Sequence, residues 1–278
     1  MNIIELLEIK GLDTSKKIKL VRHQDKRYNL KELHKRDQLS VYQSYQREEV
    51  FNCDIIISFL GLERTKALLI GVFEVGKISP PNTVLTSKDF PYPEMAKKCI
   101  HYELKELESF DDLKDRVVIE WGSSTRSWHQ WLKKKDVIEM YPKGYIGEFP
   151  GLLDFVLPFN ELKKIVNNPD ANRNWIKMLT SVAGVYLIVD NKTGMQYIGS
   201  AYGKDGIFGR WKQYANNLHG GNKELRKIIE QNGESYTINF HFTILRTLEK
   251  TLTKSEVIGY EQKYKMKLGS RAFGLNCY

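Results

Sequence analysis

The chain contains few cysteines and has no long apolar run. Its 278 residues include three cysteines, Cys53, Cys99 and Cys277, which lie far apart and form no Cys-x-x-Cys pair. This spacing favours neither a disulfide scaffold nor a structural zinc site, and it is typical of a reducing compartment. No uninterrupted apolar stretch reaches the roughly 18 residues of a membrane span, and the first ten residues are too acidic for a secretory signal. We therefore predict a cytoplasmic protein that does not enter a membrane.

Several motifs of nucleotide and nucleic-acid enzymes are also missing. The sequence has no Gly-x-x-x-x-Gly-Lys-Ser/Thr phosphate loop, so ATP-driven activity is not expected. Glu103-Leu104-Lys105 has the acid-x-Lys form of restriction-type nuclease cores, but no acidic partner stands at a suitable spacing. No internal repeat or low-complexity tract occurs.

Basic residues outnumber acidic ones. The chain has 43 Lys and Arg against 34 Asp and Glu, which gives a net charge of +9 at pH 7. Such a balance favours a polyanionic partner, and nucleic acid is the usual one. Hydrophobic residues make up 41% of the chain and aromatic residues 12%, as expected for a folded protein. The length supports two ordinary domains, each with its own core.

The stretch Gly184–Gly199 predicts a β-hairpin. Two β-rich runs flank the polar loop Asp190–Gly194, which has the composition of a turn. Each run contributes one tyrosine, Tyr186 in Gly-Val-Tyr and Tyr197 in Tyr-Ile-Gly.

A predicted helix follows this hairpin. It places Arg210 and Tyr214 four residues apart, so both side chains can act on one ligand. The fixed fork of donors on a guanidinium suits a phosphate oxygen better than a neutral side chain does. Lys212, on the same helix, is a further candidate for contact with DNA.

A second predicted helix runs from a capping box at Thr253–Glu256 to Gly269. Val257, Glu261 and Leu268 recur on the stripe that is expected to face the core. An ionised carboxylate is rarely buried without a partner charge or a metal. The position of Glu261 therefore predicts a bound cation.

These motifs together resemble the GIY-YIG nuclease superfamily, with Val in place of the first Ile. The resemblance covers about residues 181–278, and the family's order continues through the arginine, the glutamate and Asn276 in Phe-Gly-Leu-Asn. It implies a small α/β fold in which helices flank a three-stranded antiparallel sheet. It also implies hydrolysis of DNA phosphodiester bonds with a divalent ion, Mg²⁺ or Mn²⁺, held by Glu261.

The resemblance further implies a role for each site residue, and each residue has a structural alternative. Strand tyrosines usually pack in a core, an arginine can be a surface cation, and a helical Glu261 can pair with Lys265. In the implied site, Tyr186 orients or deprotonates the attacking water with Tyr197 nearby, Arg210 stabilises the phosphoryl charge, Tyr214 assists proton transfer, and Asn276 holds the geometry.

Residues 1–166 predict a β-rich domain that reads DNA. Short β-like runs alternate with polar or Pro-rich connections, which fits a partly closed barrel or a curved sheet. One helix is predicted over 28–46, and the run Leu68–Val75 resembles a strand of PUA-like barrels. The polar segment Asn167–Asn172 marks the boundary. Residues 167–180 are then a linker with a lead-in helix, and 181–278 form the catalytic domain.

A loop in the first domain holds three of the five tryptophans beside hydroxyls and an arginine. Such a loop suits stacking on a base or a grip on a phosphate, and its alternative is aromatic packing at the end of a sheet. The candidate DNA-binding residues are Trp121, Ser123, Ser124, Arg126 and Trp128.

The sequence therefore predicts an α+β, two-domain DNA endonuclease of the restriction or mobile-element type. One active site per chain predicts paired chains for a double-strand break. Two alternatives stay open: a structure-specific DNA repair nuclease, and a non-catalytic nucleic-acid-binding protein that keeps the fold.

Overall fold

Two separate units make up the chain in a computed structural model, which describes residues 1–86, 90–123 and 127–276. The units are Met1–Lys143 and Gly144–Tyr278, and the class is mixed α+β, as predicted. The division falls before the predicted boundary at residue 167. The difference arises because Phe159, Leu162 and Ile165, which the sequence analysis assigned to the first domain, lie in the core of the second unit.

The first unit is built on one mixed, curled sheet. Its elements are α1 Ile3–Ile9, β1 Ile18–His23, α2 Leu30–Lys35, α3 Leu39–Ser44, β2 Tyr45–Gln46, β3 Ile55–Gly61, β4 Lys66–Ser79, α4 Glu94–Lys98, β5 Ile100–Glu106, a 3₁₀ turn at Glu108–Phe110, β6 Val117–Glu120, β7 His129–Trp131 and β8 Val137–Met140. In the described residues six of the eight strands follow the order β2-β5-β4-β3-β1-β7, and the other two lie off this path, where β6 pairs with β4 and β8.

Strand β1 is covered on both faces, because all six of its residues are buried. It runs parallel to β3, with Ile18 beside Ile55. Leu20 packs on one face, in the cluster that contains Trp121. Val21 packs on the other face, in a cluster that Trp128 joins. The period-two alternation of a strand thus supplies two cores.

The helix predicted over 28–46 is two short helices, α2 and α3. Asp37 lies between them with φ of 55°, a left-handed conformation that interrupts the helix. Leu33 and Tyr42 still pack into the same cluster. The apolar spacing therefore predicted which side is buried, but it did not predict the interruption at Asp37.

The second unit contains a four-stranded antiparallel sheet in the order β11-β10-β12-β9. The predicted sheet had three strands, and the fourth, β9, comes from residues assigned to the first domain. The elements are β9 Leu157–Pro158, α5 Phe159–Asn167, α6 Arg173–Ser181, β10 Ala183–Asp190, β11 Gln196–Ala201, α7 Gly206–Asn217, α8 Lys223–Asn232, a 3₁₀ segment at Glu234–Asn239, β12 Phe240–Leu248 and α9 Lys254–Leu268.

Each face of this sheet is covered by helices. Tyr186 and Phe242 pack with Trp211 of α7 on one face. Val185 and Ile198 pack with Val257 of α9 on the other. Because β11 is an edge strand, groups from both faces can meet around it. Among the described residues, no helix is both long and apolar enough to cross a membrane.

Strand β12 is shorter than the pattern of its apolar residues indicates. Apolar residues alternate from Tyr236 to Ile244, as is typical of a strand, but the residues before Phe240 form the 3₁₀ segment. In that segment Tyr236 donates a hydrogen bond from its hydroxyl to Asp190 at 2.8 Å. This bond links the segment to the hairpin turn, so Tyr236 has a structural role there without being part of a strand.

Candidate active site

The β10–β11 hairpin forms as predicted, and Asp190 fixes its turn. This carboxylate is 1% exposed and accepts from the Lys192 backbone at 2.9 Å and from the Thr193 hydroxyl at 2.8 Å. Gly194 completes the turn with φ of 75°, a conformation that glycine adopts readily. The two strands then pair in a register that sets Tyr186 opposite Gly199.

Gly199 is required by the space that Tyr186 occupies. A Cβ atom built on Gly199 would overlap the hydroxyl and ring of that tyrosine. The glycine therefore allows the Tyr186 ring to pack closely against the backbone of the neighbouring strand. This contact gives a packing reason for the pairing of a Gly-Val-Tyr strand with a Tyr-Ile-Gly strand.

Tyr186, Arg210 and Tyr214 form one hydrogen-bonded cluster. The hydroxyl oxygens of Tyr186 and Tyr214 are 3.0 Å apart, and either can be the donor. Arg210 Nε donates to Tyr186 at 3.2 Å, and Nη2 donates to Tyr214 at 3.4 Å. The guanidinium also lies over the Tyr214 ring, 5.0 Å from its centre. The predicted proximity of Arg210 and Tyr214 is thus present, together with Tyr186.

The surroundings of the two hydroxyls oppose their ionisation. Burial raises the pKa of Tyr186 well above its ordinary value, and the Tyr197 hydroxyl adds to the rise, while Arg210 acts in the opposite direction. Burial likewise raises the pKa of Tyr214. Both hydroxyls are therefore protonated at neutral pH and can donate hydrogen bonds.

Tyr197 lies beside this cluster without a hydrogen bond from its hydroxyl to the described residues. Its ring centre is 6.4 Å from that of Tyr186 and 6.5 Å from that of Tyr214. The side chain is half-buried. The hydroxyl is thus available to a ligand or to water.

Glu261 reaches the same edge strand from α9. One carboxylate oxygen accepts a short hydrogen bond from the Ser200 hydroxyl. The other pairs with Lys265 Nζ at 2.5 Å, and both side chains are largely buried, at 14% and 13% exposed. The cation that its position predicted is therefore present as an ammonium. Leu268, placed on the same stripe, is instead 43% exposed.

Asn276 holds the edge strand in place. Its Oδ1 accepts from the Ile198 backbone N–H at 2.9 Å, and its Nδ2 donates to the Ile198 carbonyl at 2.8 Å. Ser270 donates a further bond to the same Oδ1 at 2.7 Å. Ile198 lies between Tyr197 and Gly199, so this amide fixes the backbone of the Tyr-Ile-Gly segment.

One open cavity of about 710 Å³ brings these groups together. Tyr186, Tyr197, Arg210 and Glu261 all line it. Tyr214 and Asn276, which are 0% and 5% exposed, do not line it; Tyr214 contacts the lining residue Tyr186, and Asn276 holds the backbone next to Tyr197. Five elements of the second unit, β10, β11, α7, α9 and the segment after α9, thus contribute to one site.

The donors of this cavity suit an oxygen-preferring ion. Glu261 and Ser200 offer only oxygen atoms, which are the ligands that Mg²⁺ and Mn²⁺ accept. No group of three or more His, Cys, Asp or Glu side chains placed to hold a metal occurs in the described parts of the chain. A single carboxylate fits an ion that retains most of its water ligands.

The candidate DNA-binding residues have different surroundings. Trp121 is 1% exposed and packs in the core of the first unit, 6.0 Å from the Phe59 ring. It is therefore not available to stack on a base, and the packing alternative applies to it. Trp128 lines a cavity, and Ser123 and Lys212 are exposed. Ser124 and Arg126 lie outside the described residues.

Among the cavity residues that the sequence did not predict, Ser200 and Gln213 contact predicted site residues directly. Ser200 follows the Tyr-Ile-Gly motif directly, and strand alternation places it on the face of α9, where Glu261 lies. Gln213 accepts from Arg210 Nη1 at 2.5 Å. Periodicity could have placed Ser200, whereas three-residue spacing along a helix surface is too common to single out Gln213.

Comparison with known proteins adds two solved structures. They are the catalytic domain of the homing endonuclease I-TevI and a mutant of the catalytic domain of the intron endonuclease I-TevI. Both are 22% identical to this chain and cover 34% of it, over 98% and 92% of their own lengths, with TM-scores of 0.29 and 0.28. At these values the likeness carries no argument about function. No protein-family model matches the chain, and no curated protein matches it significantly.

Proposed function

We propose that the chain is a divalent-metal-dependent DNA endonuclease of the GIY-YIG type, with its catalytic site in the second unit. One observation carries this proposal: Tyr186, Tyr197, Arg210 and Glu261, far apart in sequence, line a single cavity. A core tyrosine or a surface arginine explains each residue separately. Neither explains why all four surround one open space.

The positions of the side chains support a separate role for each residue in the proposed reaction. Arg210 lines the cavity with its guanidinium held by two tyrosine hydroxyls, so it is pre-organised to bind a phosphate oxygen and to stabilise charge that develops there. Tyr186 and Tyr197 both line the same cavity and would orient the attacking water. Tyr214 would assist proton transfer by holding the Tyr186 hydroxyl through their 3.0 Å contact, while the proton of the attacking water passes to solvent in the open cavity.

Glu261, with Ser200 beside it, would hold the divalent ion. When bound, such an ion polarises the phosphate and stabilises the leaving oxygen. Lys265 must then give up its contact with one oxygen of Glu261. Asn276 would keep Tyr197 and Gly199 in register while the substrate binds.

The Lys265 contact also favours a second candidate function. An ion pair at 2.5 Å satisfies Glu261 without any metal, as expected in a non-catalytic nucleic-acid-binding protein that keeps the fold. In that protein Arg210 and other basic residues would supply affinity for DNA alone.

The first unit would then select the DNA. A catalytic unit with few groups for reading base edges usually depends on another domain for specificity, as in restriction and mobile-element endonucleases. A double-strand break would need two chains, since each chain offers one such cavity among its described residues. Cleavage of branched DNA without regard to sequence would instead indicate a repair nuclease.

Cleavage assays on plasmid and bacteriophage DNA test the proposal. Wild type is compared with Glu261→Gln, which keeps the size of the side chain but removes its charge. We expect Mg²⁺-dependent cleavage that falls by at least about 10²-fold in the variant, because several kcal/mol of charge stabilisation depend on the ion. Sequencing of the fragment ends shows whether the cuts share a sequence.

Glu230→Gln is the matched control, because it removes the same charge from an exposed position on α8. It should cleave as wild type does. DNA binding measured without metal should be equal in all three proteins. Firm binding by wild type with no cleavage of modified, unmodified or branched DNA would refute the nuclease and favour the binding protein.

A further inference from the structure

A second cavity lies in the first unit, among residues that the proposed chemistry does not use. Its volume is about 470 Å³, within the range of roughly 300–1,000 Å³ for pockets that enclose small organic groups. Five rings line it, those of His23, Tyr28, Tyr42, Tyr45 and Trp128. They come from the end of β1, the α2–α3 region, β2 and the loop before β7.

Four of these rings pack against one another in series and form an aromatic wall of the cavity. The Tyr42 ring centre is 5.8 Å from that of His23 and 5.2 Å from that of Tyr28, and His23 is 6.5 Å from Trp128. His23 and Tyr42 are buried, whereas Tyr28 and Trp128 are half-buried and keep part of their surface open. Open aromatic surface in a concave site favours a flat, unsaturated ligand.

A buried polar network lies behind this wall. His23 Nε2 donates to Gln43 Oε1 at 3.0 Å, and Ser58 Oγ donates to the same oxygen at 2.7 Å. Burial lowers the pKa of His23 to about 4, so the ring is neutral and donates a single proton. Gln43 is 0% exposed and does not line the cavity, so this network holds the His23 ring in position and leaves contact with a ligand to the lining residues.

The cavity also has charged groups. Asp25 is held by Arg27 through contacts of 2.6 to 3.1 Å, and the Tyr42 hydroxyl approaches it at 3.5 Å. Arg27 and Arg47 line the cavity and are exposed. An acceptor thus lies beside the rings, and two guanidinium groups lie where phosphates could approach.

We propose that this cavity binds a single nucleobase, presented by DNA as a base turned out of the double helix. The inference rests on the proposed role of the first unit in reading DNA. The rings would stack on the base, the Asp25 carboxylate would accept a hydrogen bond from its polar edge, and the two arginines would bind flanking phosphates. An aliphatic ligand would make no hydrogen bond to Asp25, and a lone phosphate would make no stacking contact with the rings.

Fluorescence anisotropy with labelled short duplexes tests this site in the full chain, with EDTA present to prevent cleavage. Each duplex carries one of the four bases, or 5-methylcytosine, opposite an abasic position, because an unpaired base costs less to turn out. At least one base should bind more tightly than the fully paired duplex by about 5- to 150-fold, the usual worth of stacking one base. The free deoxynucleoside monophosphates should bind more weakly than that duplex.

Two substitutions report on the cavity itself. Trp128→Ala removes the open ring, and Asp25→Leu removes the carboxylate while keeping a side chain of similar size; both residues line the cavity. Both should lose the preference for the unpaired base and keep the affinity for paired DNA. Trp131→Ala is the control, since Trp131 is 52% exposed and does not line the cavity. Thermal unfolding followed by circular dichroism checks that each variant is folded.

The proposal is overturned if wild type binds no duplex with an unpaired base more tightly than the fully paired duplex. It is also overturned if either folded variant keeps the wild-type preference for the unpaired base. A free nucleotide that binds more tightly than every duplex overturns DNA as the source of the base. The measurement needs neither metal nor cleavage, so it separates the two proposals. A chain that prefers an unpaired base but does not cut refutes the nuclease alone, and a chain that cuts without such a preference refutes this site alone.

Discussion

Tyr186→Phe should lower the free energy of unfolding substantially, whereas Tyr197→Phe should change it little. The Tyr186 hydroxyl is fully buried and makes contacts of 3.0 Å with Tyr214 and 3.2 Å with Arg210. Its removal leaves the buried Tyr214 hydroxyl with only the 3.4 Å contact from Arg210. Removing one partner of a buried polar group costs about 1–3 kcal/mol. The Tyr197 hydroxyl makes no hydrogen bond to the described residues, so Tyr197→Phe should cost less than about 0.5 kcal/mol.

Urea unfolding followed by fluorescence and circular dichroism measures the difference. With a slope of about 2 kcal/mol per molar urea, Tyr186→Phe should lower the midpoint of the second unit by about 0.5–1.5 M. If the proposed function holds, the folded variant should also lose about 10²- to 10⁴-fold in cleavage, the usual worth of general acid–base assistance. Equal midpoints for Tyr186→Phe and Tyr197→Phe would refute the reasoning, because the hydrogen-bonded cluster would then contribute nothing to stability.

Two further predictions concern packing and pH. Gly199→Ala should lower the stability of the second unit by about 1–3 kcal/mol, because the new methyl group overlaps the Tyr186 ring. Gly203→Ala, where no atom lies within 4 Å, should unfold near the wild-type urea midpoint, and equal losses would exclude the overlap as the cause. The pKa of His23 is about 4 in the folded chain and about 6.5 in an unfolded one, so the unfolded chain binds the proton first as the pH falls. Stability should fall by about 3 kcal/mol between pH 6.5 and 4 on this account, and His23→Gln should remove that part of the fall. Identical pH profiles of urea stability for the variant and wild type would contradict it.

Local chemistry made the hairpin and α9 predictable. The Asp190 side chain accepts a hydrogen bond from the Lys192 backbone, and Gly194 supplies the positive φ. Both residues belong to the same five-residue turn. Thr253 and Glu256 form the capping box reciprocally, and Gly269 ends the helix in the left-handed conformation. Because these interactions need no distant partner, the sequence alone contains the information for them.

Long-range packing explains what the sequence did not predict. The polar segment Asn167–Asn172 has the composition of a linker, but Asn172 is buried and donates to the Gly144 carbonyl at 2.9 Å. Strand β9 is two residues long and pairs only at His241 and Phe242, so it has no period to detect. The division of the chain therefore depends on contacts that no local pattern records.

The candidate site shows both effects. The order of tyrosine, arginine, glutamate and asparagine was visible in the sequence, and the structure brings Tyr186, Arg210 and Glu261 to one cavity. The roles proposed for them stay predictions. The state of Glu261 was not decided by its position, because a buried carboxylate indicates some cation without distinguishing a metal from Lys265.

The charge state of Tyr186 limits the mechanism that this site can use. Burial holds the proton on the hydroxyl, and the Arg210 guanidinium at 3.2 Å opposes burial without overcoming it. A phenolate base is therefore not the resting state at neutral pH. Tyr186 could still orient the attacking water through its hydroxyl, whose position is fixed by the Tyr214 hydroxyl 3.0 Å away, while the proton that the water loses would pass to solvent in the open cavity. A pair of protonated tyrosines bridged by one guanidinium is thus better suited to orienting water by hydrogen bonds than to storing a negative charge.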